Sequence, residues 1–283
     1  MTVAEPRVRP PLLLRLLPRR LRGPVYYRLF SAGASGQPAL FGDAELAFAR
    51  GTRMALRPGD ISHGEIAFTG VYELEQSWSL ARLARRGGVL CDVGANYGYY
   101  TCLWAAQRPG NRVVAYEASP SNYQALGVNV ARNGFQDRVR AFGCAAGRDA
   151  GRAAFYAVPG ADSGWGGFAS GTGAIRTDVD VVRLDDHLAG LGVGALDALK
   201  IDVEGADAWV LAGCERLLSE RRVGTVFYEE NRPCMAALGI APGEAGRLLE
   251  RWGYRVRALT DPRRDVAAYT ASAREGARAR PRA

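Results

Sequence analysis

The stretch Val89-Leu90-Cys91-Asp92-Val93-Gly94-Ala95-Asn96-Tyr97-Gly98 decides the fold: an apolar strand ends in an acid and turns, through glycines, into a helix. Gly94 and Gly98 tolerate positive φ or admit atoms where a Cβ would clash, and Asn96 is among the few other residues at home in the left-handed region. Such a turn lets a ligand approach bare backbone. A second apolar run, Arg112-Val113-Val114-Ala115-Tyr116, delivers Glu117 19 residues beyond Gly98. That is about the offset at which a doubly wound sheet presents a carboxylate to a ribose. The turn reads D-x-G-x-N-x-G, not the G-x-G-x-x-G that admits a pyrophosphate at a helix N-terminus.

Outward from this turn, the chain keeps a β-α rhythm. Residues 73–86 have helical spacing and stop at Gly87-Gly88, and a helix over 97–107 precedes the strand that ends at Glu117. Ser119-Pro120 supplies an N-cap and first helical residue, Asn133-Gly134 closes that helix, and residues 138–143 read as a third strand. Strands follow at 196–203 and 223–229 around a helix at 206–219, and a helix at 243–252 leads into residues 254–259. The expected architecture is an α/β, Rossmann-like, doubly wound and mostly parallel sheet. Between the third and fourth strands the rhythm breaks. Alternating segments at 152–158 and 177–183 flank residues 159–174, which hold six glycines with Ser163, Trp165 and Phe168; such a loop often serves as a mobile lid over a site.

At 283 residues the chain fits one large domain with extensions. The expected organisation is a basic leader and linker over 1–38, a small β-rich extension over 39–70, a catalytic domain over 71–260 and a basic, disordered tail over 261–283. The net charge of +8 suggests nucleic acid at first sight, but residues 1–30 carry +6 and residues 274–283 carry +3, leaving about −1 for the folded middle. A domain that tracks a phosphate backbone would carry the charge itself, so a nucleic-acid partner is not expected. The Leu/Arg mixture of residues 12–30 suits a solvated amphipathic lead-in helix, with weak contact to a membrane surface or a partner as the alternative. Its longest apolar run is too short for a signal core or a membrane span, and a cytoplasmic location is expected. Five scattered cysteines read as reduced core residues, and with only His63 and His187 no histidine metal site is expected.

A second constellation lies at Lys200-Ile201-Asp202-Val203-Glu204-Gly205. Of 37 basic residues 36 are arginine, so Lys200 is the only lysine, kept where a compact ammonium differs most from a guanidinium. On a continuing strand Lys200, Asp202 and Glu204 face one side, toward the crevice at the carboxyl end of a parallel sheet. Asp92 repels a pyrophosphate and suits a ligand bearing an ammonium and a sulfonium, which S-adenosylmethionine does. Asp202 then lies near its methionine end and Glu204 further out, placed to take a proton from an acceptor hydroxyl.

Residues 92–98, Glu117, Leu184-Asp185 and residues 200–205 together resemble the FkbM family of S-adenosylmethionine-dependent methyltransferases, as do Gly70-Val71-Tyr72-Glu73 and Glu229-Glu230-Asn231. The resemblance spans roughly residues 70–254. Two positions depart from the family pattern: Asp207 stands where glutamate is usual, and Ala118-Ser119 replaces a common proline. The resemblance implies a class I methyltransferase fold and O-methylation of a hydroxyl on a sugar, polyketide or other secondary metabolite. It further implies that Asp92, Gly94, Asn96 and Gly98 surround the methionine part and Glu117 holds the ribose diol. Ala118, Cys144 and Ala145 would edge the adenine, and Tyr72 and Glu73 would close the methionine end. Glu204 is the first candidate base and Asp202 the second, with Lys200 beside them, while His187 is expected on an exposed helix and His63 is an outsider. Three alternatives remain at this level: Mg²⁺ on Asp202, Glu204 and Glu229, a nicotinamide-dependent oxidoreductase, and a non-catalytic cofactor-binding protein.

Overall fold

The computed structural model describes residues 9–157, 163–169 and 174–273. Seven strands form the central sheet: β1 Val89–Val93, β2 Arg112–Tyr116, β3 Val139–Phe142, β4 Leu196–Ile201, β5 Val223–Asn231, β6 Tyr254–Ala258 and β7 Val266–Ala273. Their order is β3-β2-β1-β4-β5-β7-β6, parallel except for β7, which runs antiparallel to both neighbours. This is the class I methyltransferase fold. The order reverses at β1, so the crevice beyond the carboxyl ends of β1 and β4 is the topological switch point where such sheets bind ligands.

Apolar alternation along the strands covers both faces. Leu90, Val113, Ala198 and Phe227 pack on the side of helices Leu74–Ala84 and Tyr99–Gln107, whereas Cys91, Val114, Leu199 and Val226 pack on the other. Asp92 and Lys200 are register partners on the first of these faces, and both are buried. Four of the five free cysteines are buried, in keeping with core residues.

Three expectations are corrected. Residues 39–70 are not β-rich: the β content is one pair of two-residue strands, Ala44–Glu45 and Arg53–Met54, and the principal element is the helix Ile61–Thr69. Its signals are the ends rather than the alternation: the Asp60 side chain caps the His63 N–H, and Gly70 terminates the helix at φ 74°. The tail expected from residue 261 instead contributes β7, whose small Ala267 and Ala271 are buried between β5 and β6; alanine carries little hydrophobic signal. The single helix expected over 206–219 is two, Asp207–Ala212 and Glu215–Ser219. The remainder of the expected tail, 274–283, parts of the expected lid, 159–162 and 170–173, and the last residue of the expected strand 152–158 lie outside the described residues.

Ala145–Gly147, Ile175–Arg183 and Gly151–Ala157 form a separate three-stranded sheet. Among the described residues, no helix is long and apolar enough to cross a membrane.

Candidate active site

The turn after β1 is shaped by contact with the end of β4. Gly94 sits at φ 74°, and a Cβ there would strike the carbonyl oxygen of Asp202. Gly98 sits at φ 86° at the start of helix Tyr99–Gln107, where a Cβ would meet Leu126. Between them Asn96 holds φ 49°, as an asparagine can. The main-chain amide of Asn96 donates to Glu117 Oε2 at 2.7 Å and that of Ser119 to Oε1 at 2.8 Å. One buried carboxylate thus fixes the turns that follow both β1 and β2.

These turns open on a cavity of about 360 Å³ at the switch point. It is lined by Tyr72, Glu73, Gly94, Asn96, Glu117, Ala118, Cys144, Ala145, Lys200, Asp202 and Glu204, together with Glu229. Eleven of the thirteen residues expected to bind the cofactor or act in catalysis therefore meet in one crevice. Asp92 and Gly98 do not line it. The Asp92 carboxylate is fully buried, accepts from Thr101 Oγ1 at 2.6 Å, lies 3.9 Å from Lys200 Nζ, and leaves Oδ1 without a hydrogen-bond partner. It acts on the site through Lys200 rather than by lining it.

Lys200 donates to the Gly94 carbonyl at 3.3 Å and to Asp202 Oδ2 at 3.2 Å, and its ammonium lies 5.1 Å from the centre of the Tyr100 ring. Burial opposes this charge, but Asp202, Asp92 and Glu73 outweigh it and hold the ammonium above its ordinary range. Glu204 reaches the crevice by a different route from the one its spacing suggests. Since β4 ends at Ile201, strand alternation does not extend to residue 204; a backbone at φ 52° turns it inward, where its Oε2 accepts from Asn231 Nδ2 at 2.6 Å. Glu73, at φ 45°, accepts from Tyr100 Oη at 2.7 Å and Gln76 Nε2 at 2.8 Å.

The electrostatics are those of crowded acids. Burial, then Asp202, pushes Glu73 up to about 7 and Glu204 up to about 8, and burial with Asp202, Glu73 and Glu204 pushes Glu229 up to about 10. Glu117 rises to about 7 through burial, against the pull of its two amide donors. Among the described lining residues Lys200 is the one permanent cation. Asp207, where the family resemblance would place glutamate, lies behind this group: Oδ1 accepts the Glu229 N–H at 2.9 Å and Oδ2 is buried without a partner.

Contacts between distant segments complete the crevice and were not foreseen from the sequence. The Ser163 amide donates to Asp60 Oδ2 at 2.7 Å and its carbonyl accepts from Asn122 Nδ2 at 2.9 Å. Residues 163–168 thereby lie along the cavity as part of its lining. His63 lines it as well, with Nδ1 accepting the Arg57 N–H at 3.2 Å, and burial lowers the imidazole to about 4. With Nδ1 accepting, the neutral ring carries its proton on Nε2, and its lowered value makes it a weak base. His187 is outside the site, half-buried and bonded through Nδ1 to Tyr116 Oη at 2.8 Å. Asp185 is structural: its carboxylate accepts the amides of Arg216 and Leu217 at 2.7 and 3.1 Å, where helix Glu215–Ser219 begins. No group of three or more His, Cys, Asp or Glu among the described residues is arranged to hold a metal, so the Mg²⁺ alternative has no ligand set behind it.

Residues 92–256 match the family described as the methyltransferase FkbM domain. The chain is 32% identical over 207 residues to the 31-O-demethyl-FK506 methyltransferase FkbM of Streptomyces tacrolimicus, covering 63% of this chain and 76% of that protein. It is 28% identical over 161 residues to methyltransferase sdnD of Sordaria araneosa, covering 44% of this chain and 60% of that protein. Among solved structures it is similar to the methyltransferase FkbM of Methylobacillus flagellatus KT, at 17% identity and a TM-score of 0.44 over 88% of this chain and 60% of that one.

Proposed function

This chain belongs to the FkbM methyltransferase family, and from that premise we propose that it carries the methyl group of S-adenosylmethionine to a hydroxyl of a small molecule, a sugar moiety or a polyketide-type metabolite. The observation that carries the cofactor assignment is the donor set of the crevice. Glu73, Glu117, Asp202, Glu204 and Glu229 line the crevice with a single lysine, a set of acids whose ionisation a ligand bearing an ammonium and a sulfonium would favour and a pyrophosphate would oppose. Glu117, at the end of β2, would hold the ribose diol. Gly94 and Asn96 would present backbone to the methionine part, Ala118, Cys144 and Ala145 would flank the adenine, and Glu73 with Tyr72 would close the ammonium end. Bound there, S-adenosylmethionine supplies an electrophilic methyl carbon.

The protein's own task is to hold an acceptor oxygen in line with that carbon, to exclude water, and to take the hydroxyl proton. Asn231 fixes one oxygen of Glu204, and Glu204 is assigned to the acceptor. Glu204 would take the hydroxyl proton as the acceptor oxygen gains the methyl group. Asp202 remains the second candidate, tied to Lys200.

A base that titrates near 8 is active only when ionised, so turnover should rise with pH through about 8, where it is half-maximal, and level off above that. Glu204→Gln should lower turnover by roughly a hundredfold or more, abolish that rise, and leave cofactor affinity nearly intact; unchanged turnover and an unchanged pH profile refute the base role. The function itself is tested with a panel of hydroxylated acceptors assayed for S-adenosylhomocysteine release, with the methylated atom located by mass spectrometry. Acceptor-dependent release with an O-methyl product supports the proposal, and a product methylated at nitrogen or carbon excludes the hydroxyl assignment.

A further inference from the structure

Residues 9–30 contain six arginines and no acid, whereas the folded remainder is close to neutral. The structure shows how this segment is attached. Helices Leu12–Leu16 and Arg19–Leu29 turn Leu14 and Tyr26 inward, and the Tyr26 ring lies 5.2 Å from that of Phe68 on helix Ile61–Thr69. Tyr27 Oη donates to Glu65 on the same helix at 3.0 Å. The leader is therefore anchored, and its outward face has a fixed composition.

That face is apolar and cationic together. Leu12, Leu16 and Leu29 are 62%, 75% and 60% exposed, and Leu13 and Leu21 are exposed with them. Arg15, Arg20 and Arg28 stand exposed between these leucines. A helix that only met water would gain nothing from five exposed leucines, and a surface built for a phosphate backbone would not interleave them with its arginines. Leucine side chains beside arginines match the boundary between acyl chains and anionic headgroups of a bilayer. The face also continues to the crevice: Tyr27 and Ile61, both exposed, line the cavity mouth.

We propose that the leader helices dock this protein on an anionic lipid surface, with the leucines in the headgroup–acyl boundary and the arginines on lipid phosphates. The docked crevice opens toward the bilayer, where an apolar acceptor partitions. Charge complementarity selects the occupant, and the proposal holds whichever hydroxyl is methylated.

Flotation of the full chain with vesicles tests it. Vesicles of phosphatidylcholine with one-third phosphatidylglycerol should retain at least tenfold more protein than phosphatidylcholine alone, and added salt should erase most of the difference. Leu13→Asp with Leu16→Asp should abolish retention while leaving the melting temperature unchanged, since both leucines are exposed. Arg15→Gln, Arg20→Gln and Arg28→Gln together should remove the preference for the anionic vesicles with the apolar face intact. No retention on anionic vesicles, equal retention on both kinds, or undiminished retention of the leucine variant overturns the proposal. So does tighter capture by an oligonucleotide or an acidic protein than by the anionic vesicles.

Discussion

Replacing Glu117 by alanine is expected to weaken S-adenosylmethionine binding about a hundredfold or more. Two hydrogen bonds from a ribose diol to a carboxylate contribute about 1.5–3 kcal/mol each, and about 3 kcal/mol in total is already more than a hundredfold in affinity. The same carboxylate holds the amides of Asn96 and Ser119 at 2.7 and 2.8 Å, so its loss also loosens the turns after β1 and β2. Glu117→Gln keeps one acceptor oxygen and should fall between the two. Titration of the purified variants with S-adenosylmethionine gives the answer, and an alanine variant that binds like the unsubstituted protein removes Glu117 from the cofactor site.

Replacing Lys200 by methionine should produce the largest loss of stability. Its ammonium, buried at 3% exposure, lies 3.2 Å from Asp202 and 3.9 Å from Asp92. Removing one partner of a buried ion pair costs about 3–5 kcal/mol because the opposite charge stays buried and uncompensated. For a domain of this size, that lowers the melting temperature by roughly 6–20 °C. Arginine should rescue little, because a planar guanidinium does not fit between the Gly94 carbonyl and the Tyr100 ring. The pH dependence has a definite sign. Burial already raises Asp92 above its ordinary value and Glu73 to about 7, and without the lysine both rise further. A carboxyl raised in the folded state is penalised when ionised, so the deficit is greatest at about pH 8 and narrows toward about pH 5. Thermal unfolding of Lys200→Met at both pH values measures this; a melting temperature within about 2 °C of the unsubstituted protein at pH 8 would show that the acids need no counter-charge.

What could be read from the sequence was what neighbours in the chain encode. The β1 turn and Glu117 are written in a local succession of apolar residues, acid and glycine, and Lys200 stands out by being the only lysine. Glu204 was placed in the right crevice by an incomplete argument: strand alternation ends at Ile201, and a left-handed backbone at φ 52° aims the side chain. The helix Ile61–Thr69 was missed because short apolar alternation outweighed its Asp60 and Gly70 caps, and β7 because alanines give a weak apolar signal even when buried. The bond between Asp60 and Ser163 joins residues 103 apart, a distance at which no local pattern carries information. The lining around Asp60 and Ser163 depends on such long-range contacts, whereas the lining at Gly94 and Glu117 depends on turns.

The most direct test of the account is a calorimetric titration of the protein with S-adenosylmethionine and, separately, with NADH. S-adenosylmethionine should bind in the acid-lined crevice, with proton release near pH 7 as its cationic charge ionises Glu73 and Glu117, both held near 7 in its absence. NADH, with its pyrophosphate facing the same carboxylates, should give no binding heat. Saturable NADH binding without any to S-adenosylmethionine would contradict the account.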